Sequence, residues 1–297
     1  MIRTLAFSLA AVLWAGISMA QDRPQVVVVN KALQGFAERL LGDGAEVVFP
    51  VPEGVDPSFW RPSISDISTV QGADLIFLNG AGFATWIDRV SLPRSRVVNT
   101  SARIEDRFIV TQSITHSHGD GGEHSHEGLA SYTWLDPMMA LAKVETMAQA
   151  IVARDLAGQE EIDARVAALR AELTALDAMA REHLSPLQGQ AIIATHPRYQ
   201  YFARRYGLTI EALEWEAGVA PSMDQLAELE RLARDRGAAV LIWEAAPPAK
   251  AIDAAAALGL KSVVFDPLAG QAASGSYIEA MTQAVMELSI AGSKVAN

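Results

Sequence analysis

The chain has 297 residues, of which 50% are hydrophobic, and it carries a formal net charge of −11 with no cysteine. A chain of this length accommodates two domains of ordinary size, each with a substantial core. The acidic balance argues against nucleic acid and anionic membrane surfaces as partners, and the lack of cysteine excludes disulfides and a lipid-modified N-terminus.

Residues 1–20 predict an export signal that does not belong to the fold. Arg3 supplies a basic start, residues 5–17 are apolar, and residues 18–20 have the small-x-small form of a cleavage site. We therefore predict a cleaved signal peptide over residues 1–20 and a periplasmic location. A mature chain without cysteine fits the periplasm of a bacterium better than many secreted eukaryotic settings.

The chain then alternates strands with helices. Apolar and β-branched runs predict strands over residues 24–30, 46–50, 73–80 and 96–99. Helical spacing predicts one helix that starts near Leu33 and another that starts near Ser63, with Ser63 or Ser65 as its cap. This alternation indicates a parallel sheet with right-handed crossovers, and we assign residues 21–137 to a first α/β lobe.

A long helical run separates this lobe from a second one. Residues 138–184 are rich in Ala, Leu, Glu and Arg, and Gly158 is expected to break the run in two. We interpret residues 138–185 as a linking helical span. The predicted architecture is therefore α/β, with two lobes of parallel sheets flanked by helices and joined by a long rigid helical span.

A second α/β series occupies residues 186–297. Strands are predicted over residues 190–196, 210–215, 238–244 and 262–267. His196 ends the first of them and Asp266 lies at the end of the last, which is where ligands bind in open parallel sheets. Glu216 and Glu244 also follow strands, and we interpret them either as partners that orient His196 or as a charged rim.

Residues 116–126 contain four of the six histidines of the chain. His116 and His118 form one His-x-His pair and His124 and His126 form another, and alternate residues of an extended backbone share a face. The glycines between the pairs permit a turn that brings them together. Imidazole ligands suit zinc better than hard cations, so we interpret residues 112–129 as a metal-capturing loop; the alternative is a polar loop without a ligand.

Several short motifs, taken together, resemble those of a known family, the periplasmic metal receptors of bacterial ABC importers for zinc and manganese, of the ZnuA/TroA type. The motifs are Gly54-Val55-Asp56-Pro57, Leu78-Asn79-Gly80, Trp134-Leu135-Asp136-Pro137, Thr195-His196 with Tyr201 to Leu208, and Asp266-Pro267-Leu268. The resemblance runs through nearly the whole mature chain. It implies two α/β lobes joined by one rigid helix, a metal held in the cleft, and an importer permease as partner.

The resemblance also implies a ligand set of three histidines and one carboxylate, which this chain matches only in part. His196 stands at the third histidine position and Asp266 at the acid position. Ser58 and Tyr132 stand where the first and second histidines are expected. Two protein ligands make a poor zinc site, because zinc in proteins is usually tetrahedral.

Three hypotheses follow for the ligand. In the first, the loop histidines supplement His196 and Asp266, and the protein passes zinc to the permease. In the second, only the loop binds zinc, and the protein is a periplasmic zinc buffer or chaperone. In the third, Trp60 and Tyr132, with Trp86 as a further candidate, line an aromatic pocket for a small organic solute, and His196 and Asp266 are its polar anchors.

An enzyme is the least favoured class. The sequence has no serine or cysteine nucleophile elbow, no His-Glu-x-x-His helix and no phosphate-binding glycine loop. The partners that the resemblance implies are a zinc ion, the membrane permease of an ABC importer and a periplasmic metallochaperone, and we expect the protein itself to be a monomer.

Overall fold

The computed structural model describes residues 23–111, 128–271 and 275–293. The predicted signal peptide and the four histidines of the predicted loop lie outside these ranges. Among the residues that are described, no helix is both long and apolar enough to cross a membrane.

The first lobe contains a four-stranded parallel sheet, as predicted. Its elements are β1 (Gln25–Val28), α1 (Lys31–Leu41), β2 (Glu46–Val48), α2 (Ile64–Gly72), β3 (Leu75–Leu78) and β4 (Val97–Asn99). The strand order is β2-β1-β3-β4. Val26, Val27 and Val28 are each 0% exposed, because helices or other chain segments cover both faces of the sheet. This explains why β1 is a continuous apolar run without alternation.

The helix starts of this lobe follow from local side-chain chemistry. Asn30 caps α1 by accepting a hydrogen bond from Leu33 N at 2.8 Å. Ser63 caps α2 in a capping box with Asp66, each side chain accepting from the backbone N–H of the other. The predicted cap at Ser63 is confirmed.

The predicted helical run is two helices. After the short antiparallel pair β5 (Val110–Thr111) and β6 (Gly128–Leu129) come α3 (Pro137–Val152) and α4 (Gln159–Leu184). Gly158 is the N-cap of α4, so the expected break is confirmed. The 26-residue α4 is about 39 Å long at 1.5 Å per residue and is the long helix of the fold.

The second lobe repeats the plan of the first. Its elements are β7 (Ala191–Ala194), α5 (Gln200–Tyr206), β8 (Thr209–Ala212), α6 (Met223–Arg236), β9 (Val240–Trp243), α7 (Ala249–Ala257), β10 (Lys261–Val264) and α8 (Tyr277–Ser293). The parallel sheet has the order β10-β9-β7-β8. The two-lobe α/β class is therefore confirmed.

The strands of the second lobe end earlier than predicted. β7 stops at Ala194 and β10 at Val264, so His196 and Asp266 each lie two residues beyond a strand. At Asp266 the reason is local, because its carboxylate accepts a hydrogen bond from Leu268 N at 2.7 Å and starts a turn. Both side chains therefore stand on loops at the carboxyl edge of the sheet.

One hydrophobic cluster extends through both lobes. A single buried cluster includes strands of both sheets and the inner side of α4, where Leu169, Leu173 and Leu176 pack. The lobes are also joined by a buried hydrogen bond from Trp134 Nε1 to Pro267 O at 2.7 Å. The position of one lobe is thus fixed relative to the other, and with it the geometry of the cleft between them.

Candidate functional site

The imidazole of His196 is held in one orientation. Its Nδ1 lies 2.8 Å from the carbonyl oxygen of Trp215 and 3.7 Å from Glu244 Oε2. A carbonyl oxygen only accepts hydrogen bonds, so Nδ1 is the protonated nitrogen and Nε2 carries the lone pair. A metal-binding histidine commonly has this arrangement, in which the second nitrogen donates to a backbone carbonyl or a carboxylate. Glu216, the other acid considered for this role, is exposed.

Asp266 presents a partly buried carboxylate at the same edge of the sheet. Burial raises its pKa above the usual range, the hydrogen bond from Leu268 N opposes that rise, and the nearby charge of Glu244 adds to it. The carboxylates of Asp266 and Glu244 therefore repel each other. A cation close to both would relieve this repulsion.

Ser58 and Tyr132 contact each other across the first lobe. Their hydroxyl oxygens lie 3.3 Å apart, and both residues are buried. The Tyr132 ring packs against Phe83 and Trp134. Burial raises the pKa of Tyr132 well above its usual value, so the residue stays a neutral phenol. A neutral phenol and a serine hydroxyl are not among the usual zinc ligands, so these positions do not replace histidines chemically.

Arg198 also lies in the cleft, and sequence reasoning missed it. Its side chain bridges the lobes: Nη2 donates to Asp56 Oδ2 at 2.6 Å and Nε donates to Glu244 Oε1 at 3.1 Å. The guanidinium carbon lies 4.6 Å from the centre of the Tyr132 ring. Arg198 is only 7% exposed, which is low for an arginine. The one available signal was a charge two residues beyond His196, at the end of a buried strand.

The described side chains alone do not form a complete metal site. Within residues 23–111, 128–271 and 275–293, no group of three His, Asp or Glu side chains is placed to hold a metal ion. The histidines His116, His118, His124 and His126 lie outside the described residues. His196 and Asp266 thus lie at the carboxyl edge of one sheet, whereas Ser58 and Tyr132 offer no further metal donors.

The three aromatic residues considered for an organic solute do not line one pocket. Trp60 and Trp86 pack edge to face, with ring centres 5.5 Å apart. They line a cavity of about 380 Å³ together with Phe59 and neighbouring residues of the first lobe, and Tyr132 is not part of its wall. Tyr132 instead belongs to the cluster around Ser58 and Arg198.

Comparison with known proteins identifies related sequences. The family described as "Zinc-uptake complex component A periplasmic" matches residues 26–291. The High-affinity zinc uptake system protein ZnuA of Bacillus subtilis is 26% identical over 269 residues, covering 84% of this chain and 80% of that protein. The Zinc-binding lipoprotein AdcA of Streptococcus pneumoniae is 27% identical over 257 residues and 84% of this chain, which spans about half (51%) of that relative's length.

A manganese-binding relative and a solved structure are also similar to this chain. The Manganese ABC transporter substrate-binding lipoprotein PsaA of Streptococcus pneumoniae is 24% identical over 203 residues, covering 66% of this chain and 63% of that protein. The crystal structure of the Metal-dependent Lipoprotein YcdH from Bacillus subtilis has a TM-score of 0.75 at 24% identity, covering 91% of this chain and 99% of that one. At this identity the structural likeness bears on the fold.

Proposed function

The chain belongs to the family of periplasmic components of zinc-uptake complexes, and on that premise we propose that it is a metal receptor that delivers a divalent cation to an ABC importer. The observation that carries the proposal is the orientation of His196. Its Nδ1 is held by the Trp215 carbonyl, so Nε2 keeps its lone pair. Asp266 would supply an anionic ligand from the same edge of the sheet.

We propose zinc as the cargo. Histidine nitrogens dominate the candidate donors of this chain, and imidazole suits zinc, whereas manganese prefers a larger share of oxygen ligands. The name of ZnuA of Bacillus subtilis refers to zinc, and that of PsaA of Streptococcus pneumoniae refers to manganese. The donor chemistry of this chain therefore supports zinc as the cargo.

We infer that His116, His118, His124 and His126 complete the ligand set. The support is the position of the two chain segments that flank them. Thr111 pairs with Gly128 in the β5–β6 ladder, so the chain leaves and returns at one place. Tyr201 of α5 anchors this place by accepting from Ile109 N at 3.1 Å and donating to Ala130 O at 2.9 Å. Ala130 is two residues from Tyr132, which lines the cleft.

The cellular setting is part of the same proposal. We expect residues 1–20 to act as a cleaved export signal, so that the mature protein works as a monomer in the periplasm. The permease of an ABC importer is the proposed partner, and a periplasmic metallochaperone is a second one. A binding component of an uptake complex is not an enzyme, in agreement with the lack of catalytic motifs in the sequence.

Zinc calorimetry on the chelator-stripped protein tests the proposal. The parent should bind zinc, and His196→Ala should weaken binding by about tenfold or more, because outer-shell changes alone cost this much. His183→Ala is the matched control, since His183 lies on α4 away from the cleft. A parent that binds no zinc, or a His196→Ala variant that binds as tightly as His183→Ala, would contradict the proposal.

A second candidate is a zinc buffer that binds only through the loop histidines. The observation in its favour is that the described cleft residues contain no set of three metal ligands. Replacing His116, His118, His124 and His126 with Asn separates the two functions. Complete loss of zinc binding supports the buffer, whereas a residual affinity that His196→Ala abolishes supports the receptor.

A further inference from the structure

We propose that Arg198 is a built-in cation of the cleft that opposes the binding of a divalent metal and so sets the affinity of the receptor. This inference rests on the proposed function, because it concerns the same site. It goes further by assigning the control of metal affinity to a residue that is not itself a ligand.

The guanidinium of Arg198 lies between the two lobes. Arg198 is bound to Asp56 of the first lobe at 2.6 Å and to Glu244 of the second lobe at 3.1 Å. The Arg198 side chain is 9% exposed and that of Glu244 is 12% exposed, so water screens this pair weakly. One positive charge thus lies between two carboxylates of the cleft, where a positively charged cargo would otherwise be attracted.

Arg198 also lies close to the proposed ligand His196. Arg198 and His196 share the Glu244 carboxylate: Nε of Arg198 is 3.1 Å from Oε1, and Nδ1 of His196 is 3.7 Å from Oε2. Arg198 also stacks on Tyr132, which stands at a position where the resemblance implies a ligand. A zinc ion in the proposed site would therefore share the cleft with a fixed like charge. Repulsion between like charges is stronger in a site with little water.

The surroundings hold the Arg198 side chain in place. Tyr132 stacks its ring on the guanidinium at 4.6 Å, and the Tyr132 hydroxyl lies against Ser58 Oγ. Tyr132, at one of the two positions without the expected histidine, therefore packs directly against Arg198, and Ser58, at the other, contacts the Tyr132 hydroxyl. A cation–π contact at a desolvated site adds to the ion pairs, so the guanidinium does not simply swing aside when a metal arrives.

The test compares variants that differ in one cationic side chain. All carry Asn at positions 116, 118, 124 and 126 in the full chain, so that only the cleft reports, and zinc affinity is measured by competition with a chromogenic chelator. Arg198→Gln should bind zinc about tenfold or more tighter than the parent, because a nearby like charge is removed and two carboxylates are released. Arg198→Lys keeps the positive charge but not the two ion pairs and the ring stacking, so its gain in zinc affinity should be smaller than that of Arg198→Gln.

Arg204→Gln is the matched control. Arg204 lies on α5, stacks on Tyr201 at 5.1 Å and donates to the carbonyl oxygen of Arg107, so its loss changes the net charge equally without touching the cleft. Its zinc affinity should equal that of the parent. If Arg198→Gln binds zinc no tighter than Arg204→Gln, the inference is wrong.

A second comparison covers the case in which Arg198→Gln does not fold. The pair Arg198→Gln/Glu244→Gln leaves no unpaired charge at the Glu244 position, and it should bind zinc more tightly than Glu244→Gln alone. Equal affinities would overturn the inference. The proposed function fails separately if the parent with its histidines intact binds no zinc, even where Arg198→Gln gains binding and so supports the role of Arg198.

Discussion

Ser58 Oγ lies 3.3 Å from the hydroxyl oxygen of Tyr132, although the two residues are 74 positions apart in the chain. These are the two positions at which the family resemblance implies histidines. Their contact shows that both side chains face the same point of the cleft. The proposed site would therefore have the backbone of a four-ligand site without two of the four donors.

Restoring both donors should restore a strong cleft site. We predict that Ser58→His/Tyr132→His binds zinc about tenfold or more tighter than the parent, because three imidazoles and Asp266 then satisfy tetrahedral coordination. The measurement is chelator competition in the background that lacks the loop histidines. Each single variant serves as a control and should gain little, since either one leaves the set incomplete. A double variant no better than the two singles would contradict this geometry.

The buried ion pair between α4 and α5 should stabilise the fold. Arg205 donates to both carboxylate oxygens of Asp177, at 2.8 Å and 2.6 Å. Asp177→Asn should lower the free energy of unfolding by about 1–3 kcal/mol, because a partly buried guanidinium loses the closer of its two anions. Urea unfolding measures the change. The exposed pair of Arg39 and Glu172 is the control, and Glu172→Gln should cost less than about 1 kcal/mol.

The same pair gives the stability a defined pH dependence. Burial alone would raise the pKa of Asp177, but the hydrogen bonds from Arg205 and Arg181 outweigh it and hold the pKa below the usual range. A carboxyl whose pKa is lower in the folded state stabilises the fold above its unfolded pKa. That stability is lost as the pH falls through the folded-state pKa. Asp177→Asn should therefore flatten the stability curve at acid pH, and an unchanged curve would exclude this contribution.

Lys143 should be required for the stability of the first lobe. It is 0% exposed, and its amine donates to Asn79 O at 2.7 Å and to Ser101 Oγ at 2.6 Å. Burial lowers its pKa well below the usual value. Lys143→Met should cost about 2 kcal/mol or more, because the buried acceptors lose their donor. Urea unfolding tests this, with the exposed Lys250→Met as a control of little effect; equal stabilities would show that the amine contributes nothing net.

The hydrogen bond between the lobes at Trp134 should also be measurable. Trp134 Nε1 donates to Pro267 O at 2.7 Å, and Trp134 is fully buried. Trp134→Phe should destabilise the protein by about 2–4 kcal/mol, through an unpaired carbonyl and a small cavity. Thermal unfolding monitored by circular dichroism measures the loss. A change below about 1 kcal/mol would mean that other contacts fix the lobes by themselves.

Much of the fold could be predicted because its causes are local. The valine run of β1 identifies a strand covered on both faces, Ser63 with Asp66 identifies a helix start, and Gly158 identifies a break. Each of these patterns depends only on residues that are close together in the chain. The strand ends were less well predicted, since the turn at Asp266 depends on a single hydrogen bond to Leu268 N that no periodicity reveals.

The sequence alone therefore determined the two-lobe α/β class, the positions of His196 and Asp266 after strands, and the absence of histidine at positions 58 and 132. Only the tertiary structure decided what occupies the cleft. Arg198 meets Asp56 across 142 residues and Glu244 across 46, and these contacts depend on how the two lobes pack. A long charged side chain beside a strand end is usually solvated, and it became a buried bridge here because the packed lobes place a carboxylate on either side of it.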